Sequence, residues 1–163
     1  MAPSPRHVDY AAAVPFDRSF VDANRVQLER MRAFVDRATD DDLRTPMPAG
    51  WTPAAVLGHL AFWDQHALVI IDMLDRGLTP PPHDDATVDW INDTAKRFLL
   101  ALEPRTAALL AVQIGDETDR RIASLSDERL EAATERWFTT NRWEDRQEHL
   151  DEIEHALEGG VSR

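Results

Sequence analysis

The chain has 163 residues and no cysteine, and 30 acidic against 18 basic residues give it a formal net charge of −12. This length suits one domain with a single core, and the lack of cysteine excludes disulfides, thiolate zinc sites and cysteine nucleophiles. The negative charge, without any cluster of basic residues, argues against nucleic-acid binding, because a phosphate backbone would be repelled.

The N-terminal stretch lacks a long apolar segment after Arg6, and no run of 18 apolar residues occurs. We therefore expect neither a secretory signal nor a membrane-spanning segment, and a cytoplasmic location. Lys96 is the only lysine among the basic residues, a bias typical of G+C-rich bacterial genomes.

Residues 1–15 contain prolines and are predicted to form a flexible arm, and residues 16–160 are predicted to form one helical domain. The first helix is indicated by apolar residues at mostly three- and four-residue spacings with charges between them. These residues are Phe20, Leu28, Met31, Val35 and Ala38.

The second helix should begin at Thr52 and Pro53, since threonine is a favourable N-cap and proline suits the first helical position. The segment before it, "TDDDLRTPMPAG", is predicted to be turn material, and Gly77 should end the helix. Its apolar stripe is Val56, Leu60, Trp63, Ala67, Ile70 and Leu74.

A third helical region covers about residues 87–124, but one unbroken helix of that length would extend to roughly 57 Å. Since an interior proline is also costly, we predict a break or kink near Pro104. The apolar residues that indicate this region are Ala95, Phe98, Leu99, Leu102, Leu109, Val112, Ile122 and Leu125.

After a short helical turn and a loop, Asn141 and Glu144 resemble the capping box of a fourth helix, which should run to Gly159 and Gly160. Its expected stripe is Trp143, Leu150, Ile153 and Leu157. Strand alternation is absent from the sequence, so the prediction is an all-α four-helix bundle.

His59 interrupts the apolar run "GWTPAAVLGHLAFWDQHAL" of the second helix. It is either a hydrogen-bonded interior histidine or a metal ligand that needs partners elsewhere. On the fourth helix, phase places His149 beside the core and His155 in solvent, and Asp145 lies one turn before His149.

The candidate metal ligands are therefore His59, Asp145 and His149. Two imidazoles and one carboxylate suit Zn, Ni, Fe or Mn, and three protein ligands leave a position for water or substrate, as in catalytic sites. The alternative is that Asp145 and His149 form an ordinary solvated pair on one helix face.

Further candidates flank this set. Trp143 is predicted to line a pocket, whereas Arg142 and Arg146 either receive an anionic thiol or substrate or act as surface ion-pair partners. Asp64 and His66 are expected to face solvent or the edge of the bundle. Motifs for serine hydrolases and phosphate-binding loops are absent from the sequence.

Two stretches resemble the signatures of the DinB-like superfamily. "GWTPAAVLGHLAFWDQ" resembles its helix-two signature, and "TNRWEDRQEHLDEIEHAL" resembles its last-helix signature, with "SDERLEA" and "DWIN" also in the expected order. The resemblance implies that His59 and His149 match metal histidines, while Asp145 stands where the family usually has a third histidine. The departure implies either an altered metal preference or a lapsed site.

Within this superfamily, the chain resembles thiol-dependent S-transferases and the N-terminal domain of mycothiol-dependent maleylpyruvate isomerase. The resemblance implies a divalent metal, Zn or Ni, which activates bacillithiol, mycothiol or glutathione as thiolate against a small-molecule substrate. It also implies a homodimer. The alternative is a non-catalytic helical binding or scaffold protein.

Overall fold

The computed structural model describes residues 15–81, 84–135 and 138–160, and every regular element in these ranges is helical. The all-α prediction is therefore confirmed, and the predicted arm lies outside the described residues except for Pro15. The α-helices are α1 (Phe20–Arg37), α2 (Asp40–Arg44), α3 (Pro53–Asp75), α4 (Asp85–Leu99), α5 (Pro104–Ala123), α6 (Asp127–Thr134) and α7 (Arg142–Gly160), and a 3₁₀ turn spans Pro48–Gly50.

The predicted ends of the second helix are those of α3. The Thr52 hydroxyl accepts a hydrogen bond of 3.2 Å from the backbone N–H of Ala55, and Pro53 is the first helical residue. After the helix, Gly77 adopts a φ of 70°, a left-handed conformation that glycine reaches without steric cost.

The predicted break near Pro104 is confirmed, since α4 ends at Leu99 and α5 begins at Pro104. The carboxylate of Glu103 caps α5 by accepting hydrogen bonds from the backbone N–H groups of Arg105 and Thr106. The proline is thus the first residue of a new helix, where its missing N–H costs nothing.

The segment after α1 was expected to be only a turn, and it contains the short helix α2. Thr39 and Asp42 form a reciprocal capping box at the N-terminus of this helix. The box is a local signal for a helix start, although the surrounding acidic and proline residues are typical of a turn.

The four longest helices, α1, α3, α5 and α7, pack against one another, and α4 packs on α3. The first part of the buried face of α5 is made of small residues, which lets α3 approach closely: Ala107, Ala108, Ala111 and Gly115. Three of the apolar residues that indicated the third helical region, Phe98, Leu102 and Leu109, are 72%, 39% and 55% exposed. Phe98 lies on α4 and Leu109 on α5, on either side of the break at Pro104, so the region does not form one continuous buried stripe.

Helix α3 is long and apolar enough, by length and composition alone, to cross a membrane. However, 67% of its most apolar window is buried inside the fold. Burial of this kind is expected of the central helix of a bundle.

Two helical glycines offer a matched test of this packing. A Cβ on Gly58 would make ordinary contacts with Leu99 at 3.4 Å and Leu102 at 3.5 Å, whereas a Cβ on Gly115 would lie 3.1 Å from Leu28 and 3.3 Å from both Arg146 and Asp64. Since alanine favours helix over glycine, Gly58→Ala should raise the free energy of unfolding by up to about 1 kcal/mol. Gly115→Ala should lower it by about 1 kcal/mol, because overpacking outweighs propensity. Urea denaturation measures both, and a stabilising Gly115→Ala would contradict the prediction.

Candidate functional site

Helices α3 and α7 bring His59 and His149 together. Their ring centroids lie 5.2 Å apart and the rings are nearly perpendicular, at 89°. Two of the three predicted metal ligands, separated by ninety positions in the chain, therefore meet where α3 packs against α7.

His59 is partly buried between two tryptophans, with its ring centroid 5.9 Å from that of Trp51 and 6.4 Å from that of Trp63. Its Nδ1 atom is buried and has no hydrogen-bond partner. A histidine placed only for interior hydrogen bonding would satisfy both ring nitrogens, so the unpaired Nδ1 favours the ligand interpretation.

Burial, together with the neighbouring His149 and Arg142, lowers the pKa of His59 to about 4, against the opposing effect of Asp145 and Glu152. His59 is therefore neutral at pH 7, which is the form that can bind a metal ion.

His149 has a partner of its own. Its Nδ1 lies 2.9 Å from Oε2 of Glu152, one turn further along α7, and the two side chains are 25% and 53% exposed. His155 is exposed, as its helical phase predicted.

Asp145 is engaged elsewhere. Its Oδ2 lies 3.2 Å from Nη1 of Arg142, and its side chain is 49% exposed. Within the described part of the chain, no group of three or more His, Asp or Glu side chains is arranged to hold a metal ion. The fold thus places the two histidines together and leaves the third predicted ligand in an ion pair.

Cavities lie on both sides of the histidine pair. One, of about 300 Å³, extends from His59 and His149 along α3 toward α4 and the loop before α7, and Trp63, Asn92, Arg142 and Asp145 line it. The other, of about 580 Å³, extends toward the 3₁₀ turn and has an apolar wall that includes Trp51 and an acidic wall from α7. A small molecule in either cavity would contact both histidines.

Beneath the first cavity lies a buried ion-pair network. Asp64 on α3 is 1% exposed, and its carboxylate accepts hydrogen bonds from Arg142 at 2.8 Å and from Arg146 at 3.0 Å. Arg146 also binds Asp119 on α5 at 2.7 Å, and these carboxylates raise its pKa although burial opposes them. The two arginines and two aspartates balance in charge, which makes their burial possible.

This network corrects three expectations. Asp64 was expected near solvent, and Arg142 and Arg146 as surface ion-pair partners, but the arginines are only 6% and 1% exposed. Arg142 lines the first cavity, so its predicted role in substrate binding stays a prediction. Arg146 lines neither cavity.

Trp143 also lines neither cavity. Its backbone N–H donates a hydrogen bond of 2.9 Å to Oδ1 of the buried Asn24 on α1. The start of α7 is therefore attached to α1 at this residue.

Several site residues were missed by sequence reasoning. Trp63 lies one turn after His59, a signal for a shared face that could have been used, and its Nε1–H donates to Oδ1 of Asn92 at 3.0 Å. Lys96 donates to the carbonyl of Ala49 and lies 4.9 Å from the ring centroid of Trp51. No local sequence signal indicated these contacts of Lys96, because they join α4 to the 3₁₀ turn and to Trp51, the residue that follows it.

The low pKa of His59 predicts how stability depends on pH. Unfolded histidine takes up a proton near pH 6.5, whereas folded His59 resists protonation until about pH 4. Acid therefore favours the unfolded chain, and this contribution to stability is present above pH 6.5 and lost as the pH falls toward 4. Metal-free wild-type protein should lose about 2 kcal/mol more than His59→Gln between pH 7.5 and 5. Urea denaturation in the presence of a chelator measures this difference, and equal losses would contradict the assigned pKa.

The sequence model of the DinB superfamily matches this chain over residues 23–154. The matched span begins within α1, ends within α7 and includes His59, Asp145 and His149. No curated protein and no solved structure matches the chain. The match confirms the superfamily resemblance and leaves the activity to be inferred from the site.

Proposed function

This chain belongs to the DinB superfamily, and we propose that it binds a divalent metal ion, Zn or Ni, to activate a small-molecule thiol. The observation that carries the proposal is the pair of facing imidazoles, one of which has a buried, unpaired Nδ1. An orphaned ring nitrogen in a neutral histidine is a donor atom that a borderline metal ion would satisfy.

His59 and His149 would hold the ion, and the carboxylate of Asp145, at the position where the superfamily usually has a histidine, would be the third ligand. Asp145 lines the same cavity as both histidines, but it would have to leave Arg142 to serve. The ion pair is half exposed on the aspartate side, and Arg142 would keep Asp64 as an ionised partner after Asp145 leaves it.

A bound divalent ion lowers the pKa of a thiol and so supplies a thiolate nucleophile at neutral pH. The protein residues would provide the surroundings for the attack on an electrophilic small molecule. Trp51 and Trp63 pack their rings against His59, and Arg142 on the wall of the first cavity would bind an anionic group of thiol or substrate. Bacillithiol, mycothiol and glutathione are the candidate thiols, and transfer or isomerisation is the candidate reaction.

Metal titration of tag-free protein tests this proposal, with Asp145 as the discriminating residue. Asp145→His should bind Zn or Ni more tightly than wild type, because neutral imidazole matches these ions better than carboxylate, and Asp145→Ala should bind more weakly. Isothermal titration of the three proteins, with elemental analysis of the purified wild type, gives the measurement. Negligible affinity in all three would reject the constellation.

A second candidate function is that of a non-catalytic helical binding or scaffold protein. The observation that favours it is the engagement of Asp145 by Arg142, which leaves the described residues without a three-ligand cluster. In that case wild-type protein would bind no metal, and Asp145→His would create affinity where none existed.

The remaining expectations complete the proposal: a cytoplasmic protein, a four-helix core formed by α1, α3, α5 and α7, and a homodimer. Helix α4 exposes Trp90 at 67% and Phe98 at 72%, apolar surface that a second copy of the chain would cover in a dimer. A monomer by light scattering at micromolar concentration would contradict the dimer.

A further inference from the structure

We propose that Glu152 is a positioning residue that fixes the tautomer and ring orientation of His149 for metal binding. The inference rests on the proposed function and assigns a role to a residue that the superfamily signature did not single out. Its basis is the 2.9 Å contact between Glu152 Oε2 and His149 Nδ1.

The contact determines which ring nitrogen carries the proton. An ionised carboxylate can only accept hydrogen bonds, so Nδ1 of His149 must be the donor. In the neutral ring the lone pair then lies on Nε2, which becomes the nitrogen available to a metal ion. Carboxylate partners of this kind orient metal-binding histidines and raise their basicity.

Glu152 differs from the other paired carboxylates of α7. Asp145 pairs with Arg142, Asp151 with Arg30, and Glu154 with Arg30 and Arg37. Among the described residues, Glu152 forms its ion pair with His149 and with no arginine or lysine. No arginine or lysine among the described residues therefore competes with His149 for this carboxylate.

The size of the effect follows from exposure. Loss of such a partner usually weakens metal binding 10–100-fold. Because the Glu152 side chain is 53% exposed, water can partly replace it as the partner of His149. We therefore expect its loss to weaken metal binding about tenfold, at the lower end of that range.

The first test needs no metal. Long-range ¹H–¹⁵N spectra of metal-free protein at pH 8 report which ring nitrogen of His149 is protonated. Wild type should show the Nδ1–H tautomer, and Glu152→Ala should shift the population toward Nε2–H. Glu152→Gln should retain Nδ1–H, since its amide oxygen still accepts a hydrogen bond.

The second test is zinc affinity by isothermal titration. Glu152→Ala should weaken zinc binding about tenfold, Glu152→Gln should be intermediate, and Glu148→Ala should match wild type. Glu148 is a suitable control because it is an exposed carboxylate on the same cavity wall, one turn earlier on α7. Unchanged thermal melting of each variant excludes a merely structural effect.

The outcomes separate the two proposals. Wild-type protein that binds neither Zn nor Ni would reject the proposed function, and with it any role of Glu152 in ligation. If wild type binds zinc but Glu152→Ala binds it equally well, or if wild-type His149 carries its proton on Nε2, only the role of Glu152 is overturned.

Discussion

Replacing Asp64 with asparagine is expected to lower the free energy of unfolding by about 3–5 kcal/mol, the usual cost of removing one partner from a buried ion pair. Asp64 is 1% exposed and accepts hydrogen bonds from Arg142 and Arg146. Asparagine keeps the shape of the side chain, so the loss would come from the charge. Arg146, at 1% exposure, would retain only Asp119 as an ionised partner.

Asp151→Asn is the matched control. Asp151 pairs with Arg30 at 2.7 Å, but the two side chains are 58% and 29% exposed. Solvent screening limits such a pair to about 1 kcal/mol or less. Urea denaturation at pH 7 measures both variants, and a loss at Asp64 no larger than that at Asp151 would show that the buried network contributes little. If Asp64→Asn fails to fold, the stability prediction holds in its strongest form.

His149→Ala is expected to weaken binding of Zn or Ni by more than about 100-fold, because loss of a direct ligand exceeds the 10–100-fold effect of an outer partner. The rings of His149 and His59 meet at the site, with their centroids 5.2 Å apart. Its side chain is 25% exposed, so the variant should fold.

His155→Ala provides the control on the same helix. His155 is exposed and lines only the larger cavity, whereas His149 lines both. Isothermal titration should give wild-type affinity for His155→Ala. Equal weakening in both variants would mean that the ion binds at a surface site on α7 and not between α3 and α7.

The helix ends could be predicted from the sequence because their signals are local. Thr52, Pro53 and Gly77 act through bonds and backbone conformations within a few residues, as do Glu103 and Pro104. The helix α2 was missed although its signal was also local, because the capping box of Thr39 and Asp42 lies in a stretch rich in acidic residues and proline.

Part of the candidate site was also accessible from the sequence. Helical phase placed His59 and His149 beside the core, and the structure brings their rings into contact. The same phase argument predicts Asp145 as a third ligand, and that prediction stays open, since Arg142, three residues earlier on the same helix, pairs with its carboxylate. Competition between two nearby partners depends on side-chain geometry that spacing does not report.

The helical class, the main helix boundaries, the superfamily and the candidate pair of histidines could be read from the amino-acid sequence, since all of these follow from periodicity and short motifs. The burial of Arg142 and Arg146 could not, because it depends on contacts between helices that are distant in the chain. Burial of an arginine requires compensation, and their shared partner Asp64 lies 78 and 82 positions away in the chain. Periodicity identifies apolar faces, but a charge becomes compatible with the core only when a distant opposite charge packs against it.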